Sequence, residues 1–281
     1  MRKKPAANNI SAFILRNLVR LAALITILTL LFIVGYILIM GIPHITPDLF
    51  ALPYNSVNVS LMPALINTLL MTCASLVIAL PLGVGGAIYL VEYTGRGNRL
   101  VSVVRITAET LTGIPSIVYG LFGMLFFVTA LGWRISLLSG AFTLAIMILP
   151  IIMRTTEEAL KAVPDTYREG SFGLGSGRLR TVFRILLPSA MPGILAGIIL
   201  GVGRIVGESA ALIYTAGTVA ELPASVFDSA RTLSVHMYVL ASEGLHTDKT
   251  YATAVVLLVI VLLINTLSAL IARTLTQGRH R

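Results

Sequence analysis

Charge is what this chain has least of. Only 12% of its 281 residues are charged, against about 25% in an ordinary soluble domain. So few charges cannot cover a soluble surface. With 56% hydrophobic residues and a mean hydropathy of +0.91, the chain falls in the membrane class. Acidic side chains are the scarcer sign, 12 against 21 basic ones, leaving a net charge of +9. No aromatic-interleaved basic patch accompanies that excess, so nucleic acid is not expected as a partner. In a membrane protein such an excess belongs to cytoplasmic loops facing membrane lipid. Cysteine is nearly missing. The one cysteine, Cys73, cannot close an internal disulfide and reads as a small buried hydrophobe.

Catalytic signatures are missing too. No G-x-x-x-x-G-K-[ST] loop occurs, so ATP hydrolysis is not expected on this chain. Neither a nucleophile elbow nor H-E-x-x-H is present. The four histidines, His44, His236, His246 and His280, lack metal-ligand spacing and read as structural or solvated. No catalytic residue, metal or cofactor is therefore expected. The glycine clusters at 173–177 and 201–203 read as turn and packing glycines.

What the chain does have is a series of membrane-length apolar runs. They predict an all-α integral membrane protein with six transmembrane helices, at 21–40, 61–91, 110–133, 135–153, 185–214 and 250–272. The runs are continuous rather than alternating, which excludes a β-barrel. The first run is longer than the core of a cleaved signal and reads as a retained span. Pro81 and the glycines at 83–86 predict a kink in the second span. A tight turn is expected at 132–134, and the semi-apolar outer loop at 217–249 is expected to lie at the interface or pack on the spans. Three segments follow: 1–60 (N-terminus, first span, external loop), 61–275 (transmembrane domain, with a polar loop at about 154–188) and a tail at 276–281.

Orientation comes from the cations. Seventeen of the 21 Lys and Arg residues fall on the side holding both termini and the 154–184 loop. Arg134, Arg231 and Lys249 fall on the other side, and Arg204 lies within a span. Both termini and the loop are thus expected in the cytoplasm.

Four constellations stand out. In the loop, Pro164 and Asp165 can open a short helix carrying Glu169. Gly175 can end it, and Ser176 can cap the next. Phe172 and Leu174 are apolar in this polar setting, suited to a partner's cleft. Within the fifth span, Arg204 and Glu208 stand four apart and can pair on one helix face. An intramembrane charge costs about 2.5–3.5 kcal/mol at the centre, so it faces a cavity or a counter-charge. Arg204 lies about 24 Å outward of Pro188 at 1.5 Å per residue, so snorkelling to the outer interface is the other reading. A guanidinium suits an oxyanion, offering forked donors to two oxygens. Gly193, Gly197 and Gly201 form a ladder for close helix contact, either within the chain or at a dimer centre. In the third span, Pro115 breaks the helix beside Ser116 and Tyr119, as a pathway element or as a packing kink. Arg105 and Glu109, also four apart, are expected to pair at the cytoplasmic edge.

The stretch from Glu169 to Gly175, Ile185, Leu187 and Pro188 resembles the Glu-Ala-Ala loop of ABC-transporter permeases. That pattern is E-A-A, three residues, Gly, nine residues, Ile, one residue, Leu-Pro. Gly170 and Ser171 depart from it, standing where the family often has alanines. The segments at 112–123, 203–217 and 231–244 resemble PstA-type permeases of phosphate-specific importers, more than their PstC-type sisters. This resemblance implies a MetI-like permease fold in the inner membrane of a prokaryote. It implies a PstC-like partner permease, two ATP-binding cassette ATPase subunits and an external phosphate-binding protein. It assigns Glu169, Phe172, Gly175, Ile185, Leu187 and Pro188 to ATPase coupling. Arg204, with Glu208 holding it, and Ser116 and Tyr119 go to the substrate pathway. The other class of function is a stand-alone carrier or channel, which has no use for that loop spacing.

Overall fold

The structure is a computed structural model and describes residues 7–94 and 98–277. Within them the chain is all helix and connecting loop. Helices α1 (Ala7–Gly41), α2 (Met62–Ile88), α5 (Leu137–Lys161), α8 (Leu187–Val206) and α11 (Thr247–Gln277) are the long ones. Shorter ones lie between them: α3 (Arg99–Thr112), α4 (Ser116–Gly123), α6 (Asp165–Gly173), α7 (Arg178–Thr181), α9 (Ala210–Thr215) and α10 (Leu233–Glu243). π-helical turns continue α2 over Tyr89–Tyr93 and α4 over Met124–Ala130, and Val182–Leu186 joins α7 to α8. The N-terminal cations at 2–4, Arg96 and the tail from 278 lie outside the described residues.

Five helices are long and apolar enough to cross a membrane; counting the bent pair Val101–Thr112 and Ser116–Ala130 as one span gives six. The third span expected at 110–133 is broken at Pro115, where it turns by 104°, and its first arm reaches back to Val101. Pro115 lacks an N–H and pushes Ile114 out of the helical region, so α3 stops at Thr112. What precedes the bend is an amphipathic helix beside the C-terminal end of α5.

α5 is the central post. Leu144, Met147, Ile148, Ile152 and Leu160 on it are fully buried, whereas the apolar stretch of α1 is exposed throughout. That exposure is what a hydrocarbon surround allows and water does not. α2 packs along α5, with Gly83 against Ile152. Gly41 lets α1 approach the Tyr251 backbone of α11. Polar side chains in the spans hide their donors in their own helix: Thr68, Thr72, Ser75 and Thr143 each donate to the carbonyl four residues back. Cys73 is corrected from buried to exposed, opening on a shallow apolar hollow with Leu76, Val77 and Leu80. Trp133, the lone tryptophan, stacks on Phe127 and meets Phe142 edge-on. The turn there carries Gly132 at φ +69° and Arg134 at φ +62°.

The loop at 217–249 packs on the spans. Leu233, Val235 and His236 of α10 are fully buried. The Leu233 N–H donates to the Thr68 hydroxyl at 2.8 Å, and Asn67 Nδ2 donates to the carbonyls of Glu221 and Arg231. Two α2 residues thus hold the 217–249 segment in place.

Candidate functional site: a projecting loop and a broken span

The loop folds as a helix, a turn and a helix. Pro164 precedes α6, where its missing N–H costs nothing. At the far end Gly175 takes φ +78°. The Gly175 N–H donates to Phe172 O at 2.9 Å and the Ser176 N–H to Ser171 O at 3.1 Å. This paired closure is the Schellman pattern and needs a left-handed residue at that position. The next helix is capped by Gly177 rather than by Ser176, with no side-chain bond. The Ser171 and Thr181 hydroxyls, both buried, bond at 2.8 Å and tie the two arms. The alanine that the resemblance expects at 171 could not make that bond.

Glu169, Phe172, Gly175 and Pro188 are exposed, while Ile185 and Leu187 are half-buried. Phe172 is 45% exposed and Leu174 89%. The buried residue beside them is Leu186. The loop thus presents an acidic helix and two apolar side chains outward, and its second arm runs without interruption into α8.

The fifth span is not continuous to 214. α8 ends at Val206, Gly207 closes it, and α9 restarts at Ala210. Glu208 therefore leaves the helix that carries Arg204, and the expected pairing is corrected. The Glu208 carboxylate accepts from the Ala211 N–H at 3.0 Å and caps α9; its backbone carbonyl accepts from the Ser234 hydroxyl. Among the described residues Arg204 makes no hydrogen bond or ion pair. It is half-buried.

Tyr119 is buried, and its hydroxyl donates to Leu111 O at 2.8 Å, spanning the bend. It holds the break together instead of offering a free donor. Ser116, half-buried, opens α4 directly after Pro115. Gly120 lies against the Ala211 backbone and Gly123 against Thr143 and Thr215. The broken third and fifth spans therefore touch each other, and Arg204 lies in the last turn of α8, just before the fifth span breaks.

The glycine ladder faces α5. A Cβ on Gly193 would sit 2.6 Å from Ala159 Cβ, and one on Gly197 1.8 Å from Thr155 Oγ1; at Gly201 Ile148 lies 3.8 Å away. The contact is within the chain. Arg105 does not pair with Glu109: it meets Glu157 at 2.5 Å, as Lys161 does at 2.6 Å, while Glu109 faces Arg154 at 3.6 Å.

Sequence reasoning missed Glu92. It meets Arg168 at 2.7 Å, 76 positions away, with both side chains largely buried. The one available signal was a carboxylate closing an apolar run next to Tyr93-Thr94-Gly95.

The 217–249 segment holds a buried cation as well. Arg231 donates to Thr218 O at 2.6 Å and to His236 Nδ1 at 3.3 Å, and lies over the Tyr54 ring. Burial first, then the Arg231 charge, push the His236 pKa down to about 4, with the Val59 carbonyl opposing. The unfolded chain takes up this proton first, near pH 6.5. Stability is thus full above about pH 6.5 and falls by up to about 3 kcal/mol as pH drops towards 4. Denaturation in detergent across that range checks this: His236→Gln should flatten the slope, and an equal slope in both proteins would refute the assignment.

Membrane-length helices around a buried post, with a helical loop at one end, are an architecture suited to a transport permease. The family model described as "Binding-protein-dependent transport system inner membrane component" matches residues 79–281, and the chain belongs to that family. A probable ABC transporter permease, YqgI of Bacillus subtilis, is 34% identical over 229 residues, covering 76% of this chain and 78% of its own. The phosphate transport system permease protein PstA of Xylella fastidiosa is 35% identical over 229 residues, covering 80% and 79%. PstA 1 of Mycobacterium tuberculosis is 36% identical over 221 residues, covering 77% and 71%. Among solved structures, a bacterial alginate ABC transporter chain superposes with a TM-score of 0.67 at 19% identity, covering 96% of this chain and 99% of that one. A chain of the MetNI methionine ABC transporter gives 0.60 at 23%, covering 76% and 94%. The fold is thus the MetI-like permease fold.

Proposed function

We propose that this chain is the PstA-type permease subunit of an ATP-driven importer of inorganic phosphate. It forms half of the translocation pathway with a PstC-like partner. Two separate ATPase subunits drive it, and an external binding protein delivers phosphate. The cation count supports an inner-membrane placement with both termini and the 154–188 loop in the cytoplasm. The observation that carries the reading is the loop: Phe172 and Leu174 stand exposed on a closed helical turn leading straight into α8. Apolar side chains so presented suit a protein cleft better than water. The names of the phosphate permease relatives support the substrate, and the unpaired Arg204 suits an oxyanion.

Co-reconstitution with the partner subunits in vesicles tests this. ATP-dependent phosphate uptake is expected, and uptake that persists without ATP would overturn it. A finer test uses Gly175. An added Cβ there meets nothing within 4 Å, so Gly175→Val costs only backbone strain, about 1–2 kcal/mol or more for a β-branched residue at positive φ. Membrane accumulation should stay near normal while phosphate moved per ATP hydrolysed falls several-fold. Unchanged uptake per ATP would count against the turn as a coupling element.

A further inference from the structure

The loop is clamped at a second place, outside its motif. Arg168 sits where three elements meet. Its Nη2 lies 2.7 Å from Glu92 Oε1 and donates to Leu160 O at 3.0 Å; Nη1 donates to Val163 O at 3.0 Å and to Asp165 Oδ1 at 3.2 Å. Those partners belong to the turn ending α2, the inner end of α5 and α6 itself. Side-chain exposure is 16% for Arg168 and 7% for Glu92. The pair ties α6 to the turn that ends α2. The other arm holds the same turn: the Arg178 guanidinium lies 5.8 Å from the Tyr93 ring centre. The buried Ser171–Thr181 bond joins the arms. A surface pair such as Arg154–Glu158 fixes little, because water competes for both partners. A desolvated, forked pair with its remaining donors satisfied fixes a geometry.

We propose that Glu92 is a positioning residue for coupling. Through Arg168 it makes the projecting loop and the inner end of α2 one body, so loop movement reaches α2 as well as α8. α2 then carries that movement along α5, where Gly83 seats on Ile152. The inference rests on the permease reading above. It adds a further mechanical output to a loop whose chain connections lead to α5 and α8.

The test is Glu92→Gln in the complete transporter, with ATPase activity and uptake measured in the same vesicles. The variant keeps the shape and an acceptor but loses the charge. ATP hydrolysis should stay within about twofold, while phosphate moved per ATP falls about tenfold, the equivalent of one charge-assisted contact. Glu92→Asp, which keeps the charge, should retain most of the ratio. A merely structural role would lower both activities together and leave the ratio alone. An unchanged ratio in Glu92→Gln, beside normal ATP-driven uptake by the unmodified complex, overturns this inference alone. No ATP-driven uptake by the unmodified complex overturns the permease reading and this inference with it. If Glu92→Gln does not accumulate, hydrogen exchange on the unmodified complex answers the same question. Segments 88–94 and 165–173 should change protection together between the resting and nucleotide-trapped states; a change confined to 165–173 overturns the proposal.

Discussion

Gly197→Leu is expected to destabilise this chain strongly, by about 3 kcal/mol or more, whereas Gly203→Leu, six residues along the same helix, leaves the fold of the chain intact. At Gly197 the added Cβ would fall 1.8 Å from Thr155 Oγ1 and 2.7 Å from Thr155 Cβ. Thr155 cannot easily swing aside, because its hydroxyl is bonded to Ile151 O and Ile152 O and its Cβ is fixed to the α5 backbone. α8 must therefore part from α5, and Gly193 on Ala159 opens with it. Overpacking a tight contact costs about 1–3 kcal/mol, and a clash with Cβ atoms on a central helix belongs at or above the top of that range. At Gly203 nothing of this chain lies within 4 Å. Membrane accumulation and melting in detergent read both variants. A ladder serving chiefly a contact between subunits would give a chain that folds normally with leucine at 197, and that result would refute the seat on α5.

Local patterns made the main outline legible from sequence. Apolar length reveals spans because a lipid-exposed backbone has few other choices. The loop was legible because proline, glycine and helix-ending geometry act over a few residues, as the Gly175 closure shows. Long-range partners were not legible. The i,i+4 rule paired Arg204 with Glu208 and Arg105 with Glu109. It presumes an unbroken helix and no better partner elsewhere. Gly207 ends α8 before Glu208 is reached, and Glu157 from α5 takes Arg105. Pro115 signalled a break but not its size, since a kink and a 104° turn look alike in sequence. Tyr119 read as a pathway hydroxyl because nothing local showed that the Leu111 carbonyl, freed by the bend, would claim it. Glu92 meets its partner 76 positions away, and no periodicity reports such a contact.

Arg204→Ala should cut phosphate uptake at least tenfold while leaving assembly and ATP hydrolysis in place. Its side chain makes no ion pair or hydrogen bond among the described residues, so removing it breaks no polar link of the described fold. It stands in the last turn of α8, just before the fifth span breaks and resumes as α9. The Glu208 carboxylate, the nearest candidate to neutralise it in sequence, is occupied by the Ala211 N–H. A half-buried cation left without a counter-ion in a membrane is unfavourable unless a mobile anion or water completes it. A hydrogen bond to a charged group contributes about 1.5–3 kcal/mol, a factor of roughly 10–150 in occupancy. Arg204→Lys keeps the charge but loses the fork, so it should recover uptake only in part. If Arg204 instead snorkels to the outer surface, lysine serves equally well and alanine costs little. Uptake in the three proteins, normalised to the amount of assembled complex, separates these cases: equal rates would remove Arg204 from the anion path while leaving the loop and its clamp on α2 untouched.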